Sequence, residues 1–404
     1  MSETSPVAGA GRKPRIGVLG PAGNITGRDD VESYWARDPA KSVQSFTNIG
    51  DSFVFDSSLK ILEHAEVVTV SPSTGRGAEE RLEKYRTLDY IFLRGSNYIN
   101  PNGNWDATNA LLEKIHVPVH AFGVGVQTPE NAERHMNDST ERLFQIIAER
   151  SKSLAIRGEL SAEALEKVGI KSHRIIGCPT VFRHRKRRIS LPRTEAKDIR
   201  RLGFTLRRKT YGSATLQRYL IRTLDERFDM DLLCAGELEE KAYYYARKGV
   251  LPDNEAARAG AVASLVEDRW LATPGDRLLD VYDRTLRVFE SVAGFEGAVR
   301  SLDAVTGFRL HGNLIALANG VPALYVVYDT RTREFVKTLG IPSVESKTMD
   351  KFSFEAAWNE AKWDRFEAAY SRRFTELESF LTENNLPHRL EARPAKIVAT
   401  QDAA

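Results

Sequence analysis

The segment Leu202-Gly-Phe-Thr-Leu206 restarts, in the second half of the chain, a pattern of short apolar runs that begins with Arg15-Ile-Gly-Val-Leu19. Each run is rich in Val, Ile, Leu and Phe and is bounded by turn residues, which is typical of buried strands. Segments with helical spacing lie between the runs, for example over residues 53–64 and 105–115. The alternation of strands and helices predicts parallel sheets with helices on both faces.

Because the pattern occurs twice, the sequence predicts an α/β protein with two Rossmann-like domains facing each other across a cleft. The basic run Arg183-His-Arg-Lys-Arg-Arg188 shows no apolar periodicity and lies between the two halves, so we interpret it as part of a solvated linker. The predicted organisation is a disordered tail over 1–14, an N-terminal domain over 15–182, a basic linker over 183–201, a C-terminal domain over 202–352, a C-terminal helical segment over 353–391 and a disordered tail over 392–404.

Composition narrows the class of protein. The 404 residues are 42% hydrophobic and 28% charged, which indicates a folded chain of two to three domains rather than a disordered one. Lys and Arg number 58 against 55 Asp and Glu, so the net charge of +3 argues against a general nucleic-acid binder, and we expect no nucleic-acid partner. Two cysteines exclude a disulfide framework and a zinc site built from cysteines. We predict no metal site.

The sequence also carries expectations about location. It contains no apolar stretch of transmembrane length, and its N-terminus lacks the apolar run of a secretory signal. We therefore expect a cytoplasmic protein. Contact of the basic run with an anionic lipid or polysaccharide surface is the second interpretation of that run, and it would place the protein at the inner face of the membrane.

The most informative motif runs from Thr306 to Pro322, where a predicted strand ends and an apolar helix begins. It places Arg309 and His311 at the carboxyl end of the strand and at the N-terminus of the helix. Free backbone N–H groups there attract anions, Arg binds carboxylate or phosphate through two hydrogen bonds, and His can transfer a proton near neutral pH. We therefore predict that Arg309 and His311 are catalytic and that Gly312 and Asn313 help to form the anion site.

Other predicted strand ends point to the same cleft, because parallel sheets present ligand sites at the carboxyl ends of their strands. Arg157 lies at a junction between a strand and a helix whose first turn contains Ser161. A second strand leads through Tyr328 to Arg331. Small residues that allow close approach of a ligand follow two strands of the first half. The sequence thus adds Arg94, Gly123 and Gly125 to the predicted cleft.

Taken together, these segments resemble the polysaccharide pyruvyl transferase family. Asn48-Ile-Gly-Asp51 looks like the Asn-x-Gly-Asp turn of that family, 122–127 looks like its Gly-x-Gly strand end, and Arg157 with Ser161 looks like its Arg-x-x-x-Ser helix start. Its most specific signature is similar to Arg309-Leu-His-Gly312 followed by Gly320-Val-Pro322 and Tyr328. The resemblance covers about residues 15–381.

The resemblance implies two Rossmann-like domains in the GT-B arrangement and transfer of a pyruvyl group from phosphoenolpyruvate to a saccharide, free or lipid-linked, of a surface polysaccharide. It implies no cofactor besides this donor substrate. His311 would be the general acid. Arg157, Arg309 and Arg331, with Gly312 and Asn313, would bind the donor, and the cleft would include Asn48, Gly50, Asp51, Arg94, Gly123, Gly125 and Tyr328.

The chain departs from the family pattern at three places. Cys178 stands where the family commonly has Asp, Arg331 stands where it usually has Lys, and residues 24–41 form an insertion. Two alternative functions therefore remain at the level of sequence. One is a GT-B glycosyltransferase with a nucleotide-sugar donor, and the other is a non-catalytic sugar-binding relative.

Overall fold

The computed structural model describes residues 12–72, 75–128, 132–209, 212–346 and 353–392. The predicted tails over 1–14 and 392–404 lie outside these ranges, apart from residues 12–14 and 392. Within the described ranges, no helix is long and apolar enough to cross a membrane.

The first domain is built on a parallel sheet. The strands of this half are β1 (Arg15–Leu19), β2 (Asn24–Thr26), β3 (Asp30–Glu32), β4 (Glu66–Thr69), β5 (Tyr90–Arg94), β6 (Val119–Val124), β7 (Leu154–Ile156) and β8 (His173–Ile175). The helices are α1 (Pro39–Ser42), α2 (Ile49–Ile61), α3 (Ala78–Arg86), α4 (Asp106–Ile115), α5 (Asp138–Arg150) and α6 (Glu159–Glu166). The sheet order is β4-β1-β5-β6-β7-β8, so the chain reverses its direction of travel between β1 and β5.

The second domain repeats this plan. Its strands are β9 (Arg201–Leu206), β10 (Asp229–Cys234), β11 (Leu286–Val288), β12 (Ala304–Gly307), β13 (Ala323–Val327) and β14 (Ser343–Glu345). Its helices are α7 (Ala214–Asp225), α8 (Leu238–Arg247), α9 (Asn254–Glu267), α10 (Leu278–Thr285), α11 (Val292–Arg300), α12 (Leu310–Ala318) and α13 (Thr330–Leu339); α14 (Phe354–Asn359) and α15 (Trp363–Glu383) follow. The order β11-β10-β9-β12-β13-β14 is that of a Rossmann fold, with its reversal between β9 and β12.

The two separate parallel sheets confirm the predicted fold class, two Rossmann-like domains across a cleft. Strands such as β5, β6 and β13 are buried along their whole length, because helices cover both faces of a parallel sheet. This double burial explains why the strands appear in the sequence as continuous apolar runs rather than as alternating ones.

The connection between the domains corrects one prediction. The basic run is not solvated throughout, because the Arg183 side chain is only 1% exposed. Arg183 Nε and Nη2 each donate to Glu296 of α11 at 3.0 Å, and its Nη1 lies 2.9 Å from Asp56 of α2. The partners come from helices far away in sequence, so the local pattern of the run could not reveal them.

The C-terminal segment crosses back to the first domain. Helix α15 packs against β7 and β8, and its Phe380 stacks on Phe122 of β6 with ring centroids 5.9 Å apart. The predicted insertion forms the β2–β3 hairpin and α1, and it touches the second domain through the Ser33 amide, which donates to the Glu290 carbonyl at 2.6 Å. Both the C-terminal segment and the insertion therefore connect the two domains.

Candidate functional site

A cavity of about 120 Å³ lies between the domains, where the carboxyl ends of both sheets meet. The loops after β5, β9 and β12 reach it, and these strands flank the points where each sheet reverses its order. Ligands of open α/β sheets bind at such points. The residues that line the cavity are Asn48, Gly50, Asp51, Ser96, Asn97, Arg157, Arg207, Ala235, Arg309, Leu310, His311, Gly312, Arg331 and Phe335.

Arg309 follows β12 and is held by its neighbours before any ligand arrives. Its backbone N–H donates to the Thr205 hydroxyl at 3.2 Å, and its buried guanidinium donates to Glu237 and, at 3.3 Å, to the Leu206 carbonyl. Burial alone would lower the pKa of Arg309, but the carboxylate of Glu237 raises it above the ordinary value. Arg309 therefore carries a charge that Glu237 already compensates, which its sequence position did not indicate.

Asn313 does not line the cavity, although it was predicted to bind the donor. Its side-chain amide donates to the Thr205 hydroxyl and to the Arg309 carbonyl, both at 2.9 Å. It is completely buried on the far side of the first turn of α12. Asn313 therefore fixes the loop that carries Arg309, and its predicted part in donor binding stays a prediction.

Arg157 comes from the first domain and enters the cavity, and no acidic side chain of the described ranges forms an ion pair with it. Its Nη1 donates to the Asn97 side chain, its guanidinium lies 4.5 Å above the ring of Phe335, and its Nε has no hydrogen-bond partner among the described residues. Burial lowers its pKa to about 10, so it stays charged at neutral pH. A buried cation with spare donors is what an incoming anion requires.

The glycines of the β6 end serve this arrangement rather than the ligand. A Cβ on Gly125 would lie 2.8 Å from Arg157 Cδ, so only glycine leaves room for the Arg157 side chain. Gly123 has a φ of 81°, and a Cβ at this position would collide with Pro179. Neither glycine lines the cavity itself, and their predicted place in the wider cleft stays a prediction.

Arg331 enters from the first turn of α13, not from a strand end as the sequence suggested. Asp329 caps this helix by accepting from the Thr332 amide at 2.8 Å, and Arg331 Nη2 donates to the Tyr328 hydroxyl at 3.0 Å. The same Tyr328 ring lies 5.2 Å below the guanidinium of Arg207. Tyr328 therefore supports two cavity arginines without lining the cavity itself.

His311 lies in the first turn of α12, facing the start of α2. A Cβ on Gly50 would be 2.9 Å from His311 Nδ1, so glycine allows this close approach. His311 Nε2 is buried and has no partner in the described part of the chain. Burial lowers the pKa of His311 well below 6.5, and the surrounding guanidinium groups lower it further. The imidazole is therefore neutral at pH 7 in this environment.

The first domain supplies the other wall. Asn48 caps α2 by accepting from the Gly50 amide at 3.1 Å and donates to Asp51 at 3.2 Å.

Arg94 does not line the cavity: it donates to the carbonyls of Gly20 and Gly95 and lies 3.5 Å from Asp51. In the structure Arg94 supports the loops after β1 and β5, and its predicted role in the cleft stays a prediction.

Several cavity residues were missed by the sequence analysis. Arg207 directly follows β9, so the rule about strand ends could have found it. Ser96 and Asn97 follow β5 in the same way. Phe335 lies inside a helix, and nothing local distinguishes it. The same holds for Glu237, which does not line the cavity but pairs with Arg309. The described residues contain no group of three or more His, Cys, Asp or Glu side chains that could hold a metal ion.

Eight predicted residues therefore meet at this cavity: Asn48, Gly50, Asp51, Arg157, Arg309, His311, Gly312 and Arg331. Their roles in binding and catalysis stay predictions. Chemically, the cavity combines cations from both domains with one neutral imidazole. Such a set can bind a small, multiply charged anion and exchange a proton with it.

Comparisons with known proteins show which family and which solved structures this chain is similar to. A family model described as polysaccharide pyruvyl transferase matches residues 48–330. No curated protein matches the chain. Three solved structures are similar to it: a Listeria monocytogenes protein described as a UDP-N-acetylglucosamine 2-epimerase (12% identity, 94% of this chain, 100% of that chain, TM-score 0.43), the S. aureus MnaA–UDP co-structure (11%, 93%, 99%, 0.43) and Anabaena HepE in complex with UDP and glucose (10%, 92%, 98%, 0.44).

Proposed function

The chain belongs to the polysaccharide pyruvyl transferase family, and on this premise we propose that it transfers the pyruvyl group of phosphoenolpyruvate to a saccharide as a ketal. The observation that carries the proposal is the convergence of Arg157, Arg309 and Arg331 around His311 in one small cavity. Phosphoenolpyruvate bears a carboxylate and a phosphate in a compact molecule, so several guanidinium groups are its expected complement.

The size of the cavity supports a small donor. Its volume of about 120 Å³ is below the roughly 300–1,000 Å³ of sites that enclose drug-sized ligands. The cavity is also lined mainly by polar and charged groups, with Phe335 and Leu310 as its larger apolar residues. A nucleotide sugar would need a base pocket and more room, whereas a three-carbon phosphate ester needs neither.

The proposed reaction balances with two acceptor hydroxyls. One hydroxyl proton ends on C3 of the donor, turning its CH2 into CH3, and the other ends on the released phosphate. Two new C–O bonds form at C2 as the bond to phosphate breaks. His311 is placed to move a proton, and the arginines stabilise the carboxylate and the departing phosphate.

The experiment compares donors and then measures turnover. We expect phosphoenolpyruvate to raise the melting temperature of the protein, whereas UDP-glucose and GDP-mannose do not. We also expect phosphate to be released from phosphoenolpyruvate with at least one of a panel of p-nitrophenyl glycosides, and His311→Gln to abolish that release without changing the melting temperature. Stabilisation by a nucleotide sugar alone would favour a glycosyltransferase. Binding of sugars without turnover of either donor would favour a non-catalytic relative.

A further inference from the structure

Helix α6 of the first domain begins directly after Arg157 and lacks a cap of its own. The residue at its N-cap is Gly158, which has no side chain to accept from the first backbone N–H groups. Unsatisfied N–H groups at a buried helix start are costly, and Ser, Thr, Asp or Asn normally stands there to accept from them. The first backbone N–H groups of α6 therefore need an acceptor from another part of the chain.

Glu334 of the second domain supplies that acceptor. Its Oε1 accepts from the Ser161 amide at 2.8 Å and from the Ser161 hydroxyl at 2.9 Å. Gly158 has an extended φ of −170°, which any residue can adopt, so its backbone does not require glycine. Space does, because a Cβ there would lie 2.5 Å from Glu334 Cγ. Gly158 and Glu334 are thus complementary parts of one contact between the domains.

The same face of α13 carries a cavity cation. Arg331, Glu334, Phe335 and Thr338 follow the spacing i, i+3, i+4, i+7, which places them on one side of the helix. Arg331 and Phe335 line the cavity, and the guanidinium of Arg157 rests on the Phe335 ring. The position of Arg157 relative to Arg331 therefore depends on how α6 and α13 meet.

We propose that Glu334 is a positioning residue, whose carboxylate caps α6 across the domain interface and thereby fixes Arg157 opposite Arg331 in one anion site. The identity of the anion rests on the proposed function, but the anion site itself does not. Glu334 keeps this position at a cost, because its Oε2 is buried with no partner among the described residues.

Charge alone predicts the opposite of positioning. A carboxylate near an anion site repels the anion, so removal of Glu334 by Coulomb effects should tighten binding. If Glu334 instead holds Arg157 in place, its removal should weaken binding. The sign of the change in affinity therefore separates the two roles.

The test uses Glu334→Ala and Glu334→Gln, titrated with inorganic phosphate and with phosphoenolpyruvate by calorimetry. Loss of a well-placed charge-assisted hydrogen bond corresponds to about a 10- to 100-fold change in affinity. We expect Glu334→Ala to weaken phosphate binding by at least about tenfold and to raise KM for the donor more than it lowers kcat. Glu334→Gln should restore binding to within a few-fold, because its amide oxygen can accept both bonds from Ser161.

Lys337→Ala is the matched control on the same helix, since Lys337 contacts the exposed Glu159 of α6 and should leave both affinities unchanged. Ser161→Ala removes one of the two bonds to Glu334, together with the bond that the Ser161 hydroxyl accepts from the Val126 amide at 3.2 Å. It should weaken phosphate binding by a few-fold, and it decides the question if Glu334→Ala does not fold. The proposal is overturned if Glu334→Ala binds phosphate as tightly as the wild-type protein or more tightly. If Glu334→Ala does not fold, the same result in Ser161→Ala overturns it. A wild-type protein that binds neither anion would also overturn it. A wild-type protein that binds phosphate but not phosphoenolpyruvate would reject the proposed donor and leave the positioning role to be judged on phosphate.

Discussion

At the scale of single residues, the state of His311 decides what chemistry the cavity can begin. Burial disfavours its protonated form and so lowers its pKa, and the charges of four arginines add to this effect: Arg157, Arg331, Arg94 and Arg309. A general acid must release a proton readily near neutral pH, and the remaining N–H of a neutral imidazole is far too weak an acid for this. If His311 is the general acid, as proposed, its second proton arrives with, or after, the negative charge of the donor.

We predict that phosphoenolpyruvate binding is coupled to proton uptake by His311. Burial and the arginines lower the pKa of His311, and this pKa should rise when the donor's charge compensates the arginines. Between these two pKa values the complex binds one proton more than the free protein, so affinity should increase as the pH falls through that interval. Calorimetry in buffers of different ionisation enthalpy measures the uptake.

His311→Gln is the control for this coupling, because the donor itself also titrates. The variant should show less proton uptake than the wild-type protein, and its affinity should depend less on pH. Equal uptake in the two proteins would show that His311 stays neutral in the complex and is not the acid.

We further predict that Arg309→Ala acts on stability as well as on binding. It would leave Glu237 as a buried carboxylate without its cation, and breaking a buried ion pair from one side costs about 3–5 kcal/mol. Denaturant unfolding should show this loss, and Glu237→Gln in the double variant should recover much of it. An Arg309→Ala protein as stable as wild type would mean that Glu237 is not buried as a charge.

At the scale of elements, the helix starts after β7, β12 and β13 bring the cations together. The sequence predicted Arg309 and His311 correctly as residues at a strand end, because short apolar runs followed by turns identify strand ends. It could not predict that Asn313, two residues beyond His311, points to Thr205, since that depends on how α12 packs against β9. Nor could it show that Glu334 reaches a helix of the other domain.

We predict that the first turn of α13 tolerates a change of cation but not its loss. Arg331→Ala should weaken phosphoenolpyruvate binding by about 10- to 100-fold, corresponding to roughly 1.5–3 kcal/mol for a charge-assisted contact. Arg331→Lys, the residue the family usually has there, should be the mildest change. Arg157→Ala should match Arg331→Ala, because both side chains enter the same cavity. Titration of the donor into the three variants checks this.

Arg333→Ala is a suitable control for these titrations, since Arg333 is on the same helix, is about half exposed and pairs with Glu345. It should bind the donor as the wild-type protein does. If Arg157→Ala also binds normally, Arg157 does not contact the donor. If Arg157→Ala and Arg331→Ala both bind phosphoenolpyruvate as tightly as the wild-type protein does, phosphoenolpyruvate is not the donor.

At the scale of the whole molecule, the site exists only where two domains meet. Arg157 belongs to the first domain and Arg331 to the second, so the relative position of the domains determines the geometry of the anion site. The domain arrangement followed from the repeated strand pattern, and the parallel order of each sheet agrees with it. The sequence did not reveal which contacts join the domains. It led to the interpretation of the basic run as a solvated linker, whereas Arg183 of that run is buried between α2 and α11.

Arg183 is therefore the side chain whose loss should affect both domains at once. It pairs with Asp56 of the first domain and, through two hydrogen bonds, with Glu296 of the second. Without it, Asp56 would keep Lys60 and Glu296 would keep Arg300, each at 3.0 Å, but the two carboxylates would lose the buried cation that they share. Breaking a buried ion network from one side costs up to about 3–5 kcal/mol.

We predict that Arg183→Met lowers the free energy of unfolding by up to about 3–5 kcal/mol. It should also uncouple the two domains, so that calorimetry shows two unfolding transitions where the wild-type protein shows one. Arg193→Ala is the matched control from the same connection, because Arg193 pairs with Glu367 at the surface and such pairs contribute about 0–1 kcal/mol. Donor affinity should fall in Arg183→Met although Arg183 does not line the cavity, since the two domains then hold Arg157 and Arg331 less firmly. A variant that loses stability but binds the donor as tightly as wild type would show that the anion site does not depend on this connection.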